Sequence, residues 1–196
     1  MLRVRQIVNE IYASNTYVIS DDKYDYCWLV DIGDFYKVKA SISPNTTIRG
    51  LFITHTHFDH IYGVNELYME YPLCKVYCSE YGKVALYDER KNFSRYHESP
   101  IVYNGKEVIA LKDSDSLEIY PFTSIKAYYT PGHCPSCLTY CVGNWIFTGD
   151  AYIPGIKVVT NLPGGDKKQA QSSMLKIKGL FKSRTICPGH GDIVIF

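Results

Sequence analysis

Three of the chain's six histidines and one aspartate fall within the run His55-Thr56-His57-Phe58-Asp59-His60, one residue after the apolar stretch Leu51-Phe52-Ile53. No other segment constrains the fold as much. An apolar stretch without polar alternation reads as a strand buried on both faces. The polar run behind it is hard to place in a core, because buried imidazoles and carboxylates cost free energy unless each is paired. It belongs instead at a strand end, on a loop that a rigid scaffold presents. Imidazole nitrogen and carboxylate oxygen are ligands that Zn²⁺ and related metals accept. His55 and His57 are two apart, so an extended segment points them the same way. Asp59 and His60 then stand where the chain turns into a helix and can face a second ion.

The rest of the sequence supplies layers around such a site. With 196 residues and 46% hydrophobic composition, the chain has the material for one domain with a substantial core. Short segments rich in β-branched and aromatic residues give strands at Ile7–Glu10, Thr16–Ile19, Cys27–Asp31, Thr47–Thr54, Lys75–Cys78, Glu107–Leu111, Leu117–Tyr120, Ile125–Tyr129, Leu138–Val142 and Trp145–Thr148. Helical spacing predicts helices over Ile61–Tyr71, Glu80–Asp88 and Lys167–Phe181, the last with Asp166 as N-cap and Gln169 as its capping-box partner. Glu89–Gly105 reads as a long irregular connection. Many strands with interspersed helices fit an α/β layered sandwich over residues 1–196. The 18 tyrosines are expected to pack in strands and at the surface.

Composition excludes several functions. The net charge is +1, from 21 basic and 20 acidic residues without a basic stripe, so no nucleic-acid partner is expected. No apolar run approaches the ~20 residues of a membrane span. The N-terminal residues lack the apolar core of a signal peptide, so the expected compartment is the cytoplasm. The seven cysteines are an odd number and read as reduced thiols.

Three further segments carry ligand-type residues at expected strand ends. These are Tyr129-Thr130-Pro131-Gly132-His133, Phe147-Thr148-Gly149-Asp150 and Cys187-Pro188-Gly189-His190-Gly191. With the first segment they form a pattern that resembles the metallo-β-lactamase superfamily, in particular its glyoxalase II-like hydrolases. Asn15-Thr16-Tyr17 and Asp31-Ile32-Gly33 add weaker support, as do the loops Lys91-Asn92-Phe93-Ser94 and Asn161-Leu162-Pro163-Gly164-Gly165-Asp166. The resemblance spans nearly the whole chain. It implies an αββα four-layer sandwich with the metals at one edge, between two sheets.

The same resemblance implies two divalent metal ions, zinc first, with iron or manganese also acceptable. His55, His57 and His133 would hold the first ion. Asp59, His60 and His190 would hold the second, and Asp150 would bridge them. The implied reaction is attack of a metal-bound hydroxide on a small thioester or ester, with Asp59 orienting the nucleophile or taking its proton. Antibiotic-hydrolysing relatives generally have cysteine at the Asp150 position, lack the His60 histidine and are exported, so the chain differs from them. Full-length glyoxalase II also has a C-terminal helical region that helps bind glutathione. This sequence ends soon after His190, so a fairly open pocket for small substrates is expected. The alternative is an oxidoreductase similar to the persulfide dioxygenases, which hold one iron through residues equivalent to His55, His133 and Asp150.

Some residues stay open between two readings. Cys134-Pro135-Ser136-Cys137 is either a pair of small buried side chains or a redox pair. Lys157 and Lys168 are either solvated or placed to attract an anionic substrate. His97 lies in a polar run and is not expected to be a ligand. The oligomeric state is left open.

Overall fold

The computed structural model describes residues 1–181 and 184–195. Two six-stranded mixed sheets face one another. The first runs β1 (Leu2–Val8), β2 (Asn15–Asp21), β3 (Tyr26–Val30), β4 (Thr47–Phe52), β5 (Lys75–Cys78) and β6 (Val108–Ala110). The second has the spatial order β12-β11-β10-β9-β8-β7, from β7 (Ser116–Tyr120), β8 (Thr123–Tyr129), β9 (Leu138–Val142), β10 (Trp145–Gly149), β11 (Thr185–Pro188) and β12 (Val194–Ile195). Strands β3 to β6 pair in parallel, as do β10 and β11, and the other neighbours are antiparallel.

Side-chain alternation sorts each central strand between two cores. Tyr26, Trp28 and Val30 of β3 enter the core between the sheets, whereas Cys27 and Leu29 face the helices. Likewise Phe52 points between the sheets, and Leu51 and Ile53 point outward. The outer face of the first sheet is covered by α1 (Phe35–Ser41), α2 (Val64–Glu70) and the segment from α3 (Glu80–Ala85) to Leu86. On the other side α4 (Lys167–Gly179) buries Ile177 against Cys137 and Ala151. The four expected layers are present.

Tyrosines do more than pack. Three of them cross between the sheets and end on facing backbone carbonyls. Tyr17 donates to Pro188 O at 2.8 Å, Tyr140 to Ile53 O at 2.9 Å and Tyr120 to Tyr26 O at 2.9 Å. A buried phenol needs such an acceptor, and each bond fixes the spacing of the two sheets.

Local departures from the sequence reading have physical causes. The first strand is Leu2–Val8 rather than Ile7–Glu10, an edge strand whose Arg3 and Arg5 are exposed. Helix α1 was not expected, because seven residues burying only Phe35 and Val38 give almost no periodicity. The helix expected from Ile61 begins at Val64, after a 3₁₀ turn over Phe58–His60. Gly63 sits so close to Gly33 that an added Cβ would lie 2.1 Å from the Gly33 carbonyl oxygen. At α4, Asp166 caps as expected, accepting from Gln169 N at 2.9 Å, while its own N–H goes to Gly132 O at 2.8 Å. Among the described residues, no helix is long and apolar enough to cross a membrane.

Candidate metal centre

The ligand-type residues arrive from the ends of four strands. His55 and His57 follow β4, with Asp59 and His60 in the adjoining 3₁₀ turn. His133 lies between β8 and β9, Asp150 directly follows β10, and His190 follows β11. Backbone bonds lock these ends together. Leu138 N donates to Thr54 O at 2.7 Å, Gly189 N to Gly149 O at 3.0 Å and Asn15 N to Gly189 O at 2.7 Å.

The result is two adjacent clusters, with Asp31, His55 and His60 forming a further close group. Ligand atoms of His55, His57 and His133 lie within 4.8 Å of one another, as do those of Asp59, His60 and His190. Asp150 stands between them. Its Oδ2 is 4.0 Å from His55 Nε2, 3.6 Å from His133 Nε2 and 3.5 Å from His190 Nε2, and its Oδ1 is 3.6 Å from His60 Nε2. All seven residues expected from the sequence are therefore together in space.

The ring nitrogens are sorted by their partners. His60 Nδ1 donates to Asp31 Oδ2 at 2.9 Å, His133 Nδ1 to Val159 O at 2.9 Å and His190 Nδ1 to Tyr12 O at 3.0 Å. Thr54 Oγ1 commits its proton to Asp31 Oδ2 at 2.7 Å, so it accepts from His55 Nδ1 at 3.1 Å. In all four rings Nδ1 donates outward, which leaves Nε2 as the inward-facing atom that a metal would use.

That inward face fits a cation. Among the described residues, His55 Nε2 and Asp150 Oδ1 are buried on that face without any hydrogen-bond partner. Orphaned buried acceptors are costly unless something satisfies them. Opposite each other, His57 Nδ1 and His133 Nε2 are 2.9 Å apart, and His60 Nε2 and His190 Nε2 are 3.3 Å apart. Nitrogen ligands around one tetrahedral zinc ion are separated by about 3.4 Å, a spacing these pairs bracket with the Asp150 contacts. The electrostatics agree. Burial works against charge on His60 and His190, yet Asp59 and Asp150 outweigh it and push their pKa values up to about 9 and about 10. Burial likewise opposes ionisation of Asp150, and the facing His190, His60 and His133 overcome it and lower its pKa. The two carboxylates thus draw protons onto His60 and His190, and a bound cation would take the place of those protons.

A family model for the metallo-beta-lactamase superfamily matches residues 11–190. The chain belongs to that superfamily. Among its relatives is the "Probable metallo-hydrolase YqgX" of Bacillus subtilis (strain 168), 29% identical over 95% of this chain and 89% of that protein. A hydroxyacylglutathione hydrolase of Salmonella typhi is 26% identical over 89% of this chain, which spans only 60% of that protein. A solved structure of the BLEG-1 B3 metallo-beta-lactamase superposes with a TM-score of 0.89 at 26% identity, covering 98% of this chain and 94% of that one. The structure of TTHA1623 in a di-iron-bound form gives a TM-score of 0.80 at 22% identity, covering 97% and 94% respectively.

Within this superfamily member, the sequence reading missed the residue that anchors the site from behind. Asp31 is buried, at the end of β3 with φ 56°, and receives Thr54 N at 2.7 Å in addition to Thr54 Oγ1 and His60 Nδ1. Its motif was visible, but its role depends on contacts from a different strand. Gly189 was another silent requirement. A Cβ there would lie 2.1 Å from Asp150 Oδ1, 2.9 Å from Gly149 C and 3.0 Å from His60 Cε1. Gly189→Ala is therefore expected to displace Asp150, lowering stability by roughly 1–3 kcal/mol and reducing metal content. Thermal melts and elemental analysis check this, and a variant with both unchanged would contradict the packing.

The open residues also find places. Cys134 and Cys137 are both buried with their sulfurs 3.5 Å apart as free thiols. Neither Lys157 nor Lys168 lines the cleft over the metal centre, and Lys168 borders a separate depression with Tyr129 and Pro131. His97 is outside both ligand clusters and stacks on Phe58 at 3.8 Å. Because a metal would satisfy the orphaned atoms, its removal should cost stability. Chelator treatment is expected to lower Tm by about 10 °C relative to protein held at a thousandfold excess of metal over its dissociation constant. Scanning calorimetry before and after metal restoration measures it.

Proposed function

We propose that this protein hydrolyses small thioesters or esters at a dinuclear centre, with zinc as the expected metal. His55, His57 and His133 would hold one ion, and Asp59, His60 and His190 the other. The observation that carries the reading is Asp150, whose carboxylate lies within 4.0 Å of histidines from both clusters. When bound, a pair of divalent ions supplies a water that ionises near neutral pH and a Lewis acid for a carbonyl.

The chain's own groups serve that chemistry. Asp59 Oδ2, 3.2 Å from His190 Nε2 and at the cleft floor, can orient the attacking water and accept its proton. Asp31 keeps His60 in the tautomer whose Nε2 lone pair faces inward. Phe58 and Phe93 border the cleft and limit water around the reacting carbonyl. The relatives named as a metallo-hydrolase and a hydroxyacylglutathione hydrolase support hydrolysis and thioester chemistry.

The test is turnover by metal-quantified protein on a panel of small thioesters, small esters and a chromogenic cephalosporin. Several thioesters and esters are expected to be cleaved, with no strict need for a glutathione leaving group. Inertness toward all of them, with oxygen consumed on a persulfide by protein holding one iron, would replace this reading with the dioxygenase one.

A further inference from the structure

The cleft above the metal centre has a volume of about 510 Å³, and its walls differ sharply from its floor. Ligand residues form the floor. The walls are mainly Tyr12, Phe58, Phe93, Tyr96, Val159 and Leu162, with His97 and Pro163 also lining the cleft, and no lysine or arginine is among the lining residues. Tyr12, Tyr96, Val159 and Leu162 are 67%, 76%, 46% and 41% exposed, so apolar surface rings the mouth. An apolar surface gathered around a polar centre marks a place where something apolar binds.

These walls are held in position. Phe93 has φ 62°, and Tyr12 and Ala13 have φ 55° and 51°. A bulky residue stays in the left-handed region only where its surroundings enforce it. Around Phe93 the enforcement is buried and polar. Asn92 donates to Ala85 O at 3.1 Å and Ile101 O at 3.0 Å while its Oδ1 accepts from Ser94 N at 2.9 Å. Ser94 Oγ in turn accepts from Ile101 N at 2.7 Å. The Phe93 ring is thereby set 5.0 Å from the His57 ring. On the Tyr12 side, His190 Nδ1 bonds Tyr12 O at 3.0 Å and Ser14 Oγ donates to Asp59 O at 2.7 Å. The strained aromatic wall is tied directly to the ligand frame.

We infer that the substrate class of this site is an uncharged thioester or ester with a bulky apolar acyl group, aryl or branched, that packs between Phe93 and Leu162. This rests on the hydrolase reading above and narrows it. An anionic acyl group would find no lysine or arginine on the walls to pair with and would desolvate its charge against aromatic rings.

The experiment uses metal-loaded protein and three thioesters of the uncharged thiol N-acetylcysteamine: acetyl, phenylacetyl and succinyl. The matching S-ethyl and S-phenethyl thioethers, which cannot be hydrolysed, report binding by calorimetry. The phenylacetyl thioester is expected to exceed the acetyl one in kcat/KM by on the order of tenfold or more, with the succinyl one poorest. The phenethyl thioether is expected to bind more tightly than the ethyl one by a similar factor. Phe93→Ala, and independently Leu162→Ser, should raise KM for the phenylacetyl thioester and collapse that ratio while leaving metal content at the wild-type level. Turnover without apolar preference, or preference for the succinyl thioester, overturns the inference and leaves the hydrolase reading intact. Tight phenethyl binding with no thioester cleaved would instead sink the hydrolase reading and keep the apolar cleft.

Discussion

Asp150→Ala is expected to give a folded protein whose turnover is lower by on the order of a thousandfold. The carboxylate follows β10 and faces His55, His60, His133 and His190 at 3.5–4.0 Å. Alanine removes an oxygen from each cluster, along with the charge that offsets two dications held side by side. Binding of a second ion should weaken most, because the repulsion between ions then goes unscreened. The fold should survive, since Asp150 lies in the loop after β10 and its side chain meets the other ligand residues rather than strand or helix backbone. Asp59→Ala makes the useful contrast. It leaves His55, His57 and His133 intact, so one ion should remain. Metal content, circular dichroism and turnover, measured side by side, decide between them. Near-normal turnover with two ions retained in Asp150→Ala would place the centre of the site elsewhere.

The second large effect is expected from Asp31→Asn, a change of one atom behind the site. Asp31 accepts three hydrogen bonds, from Thr54 N, Thr54 Oγ1 and His60 Nδ1. An amide offers one acceptor oxygen and one donor nitrogen in their place. If the oxygen keeps Thr54 N, the amide nitrogen faces His60 Nδ1 and drives the His60 proton to Nε2, where it blocks the lone pair a metal needs. If the amide flips, Thr54 N meets a donor, and an unsatisfied buried group costs about 1–3 kcal/mol. Metal affinity at the Asp59, His60 and His190 cluster should fall by roughly 10–100-fold, the usual effect of losing a group that orients a ligand. Competition with a chromophoric chelator measures the affinity, and thermal unfolding separates it from loss of stability. Two ions bound with wild-type affinity would reduce Asp31 to packing.

How much was legible depended on whether the information was local. His55, His57, Asp59 and His60 announce themselves by density alone. His133, Asp150 and His190 each follow a short strand and a glycine, so sequence places them at loop tips. Asp31 resembles any aspartate at the end of a strand, and only the arrival of Thr54 and His60 reveals its function. Phe93 lies in a connection without periodicity. Its position follows from Asn92 and Ser94 closing buried hydrogen bonds across to Ile101, which no spacing rule captures. The layers were readable because Leu51, Phe52 and Ile53 are apolar on both faces. Helix α1 was not, because Phe35 and Val38 alone make too short a stripe. The CxxC pair was seen and left open, and the structure adds that its thiols are buried and close enough to meet.

The chemistry of this site depends on what the two clusters and the Asp150 carboxylate between them hold. Elemental analysis of protein purified without added metal measures it directly, normalised to chain concentration. The expected result is close to two divalent metal equivalents per chain, zinc foremost, both lost to chelator and both recovered on reconstitution. A fully loaded and active protein that holds a single iron would contradict it.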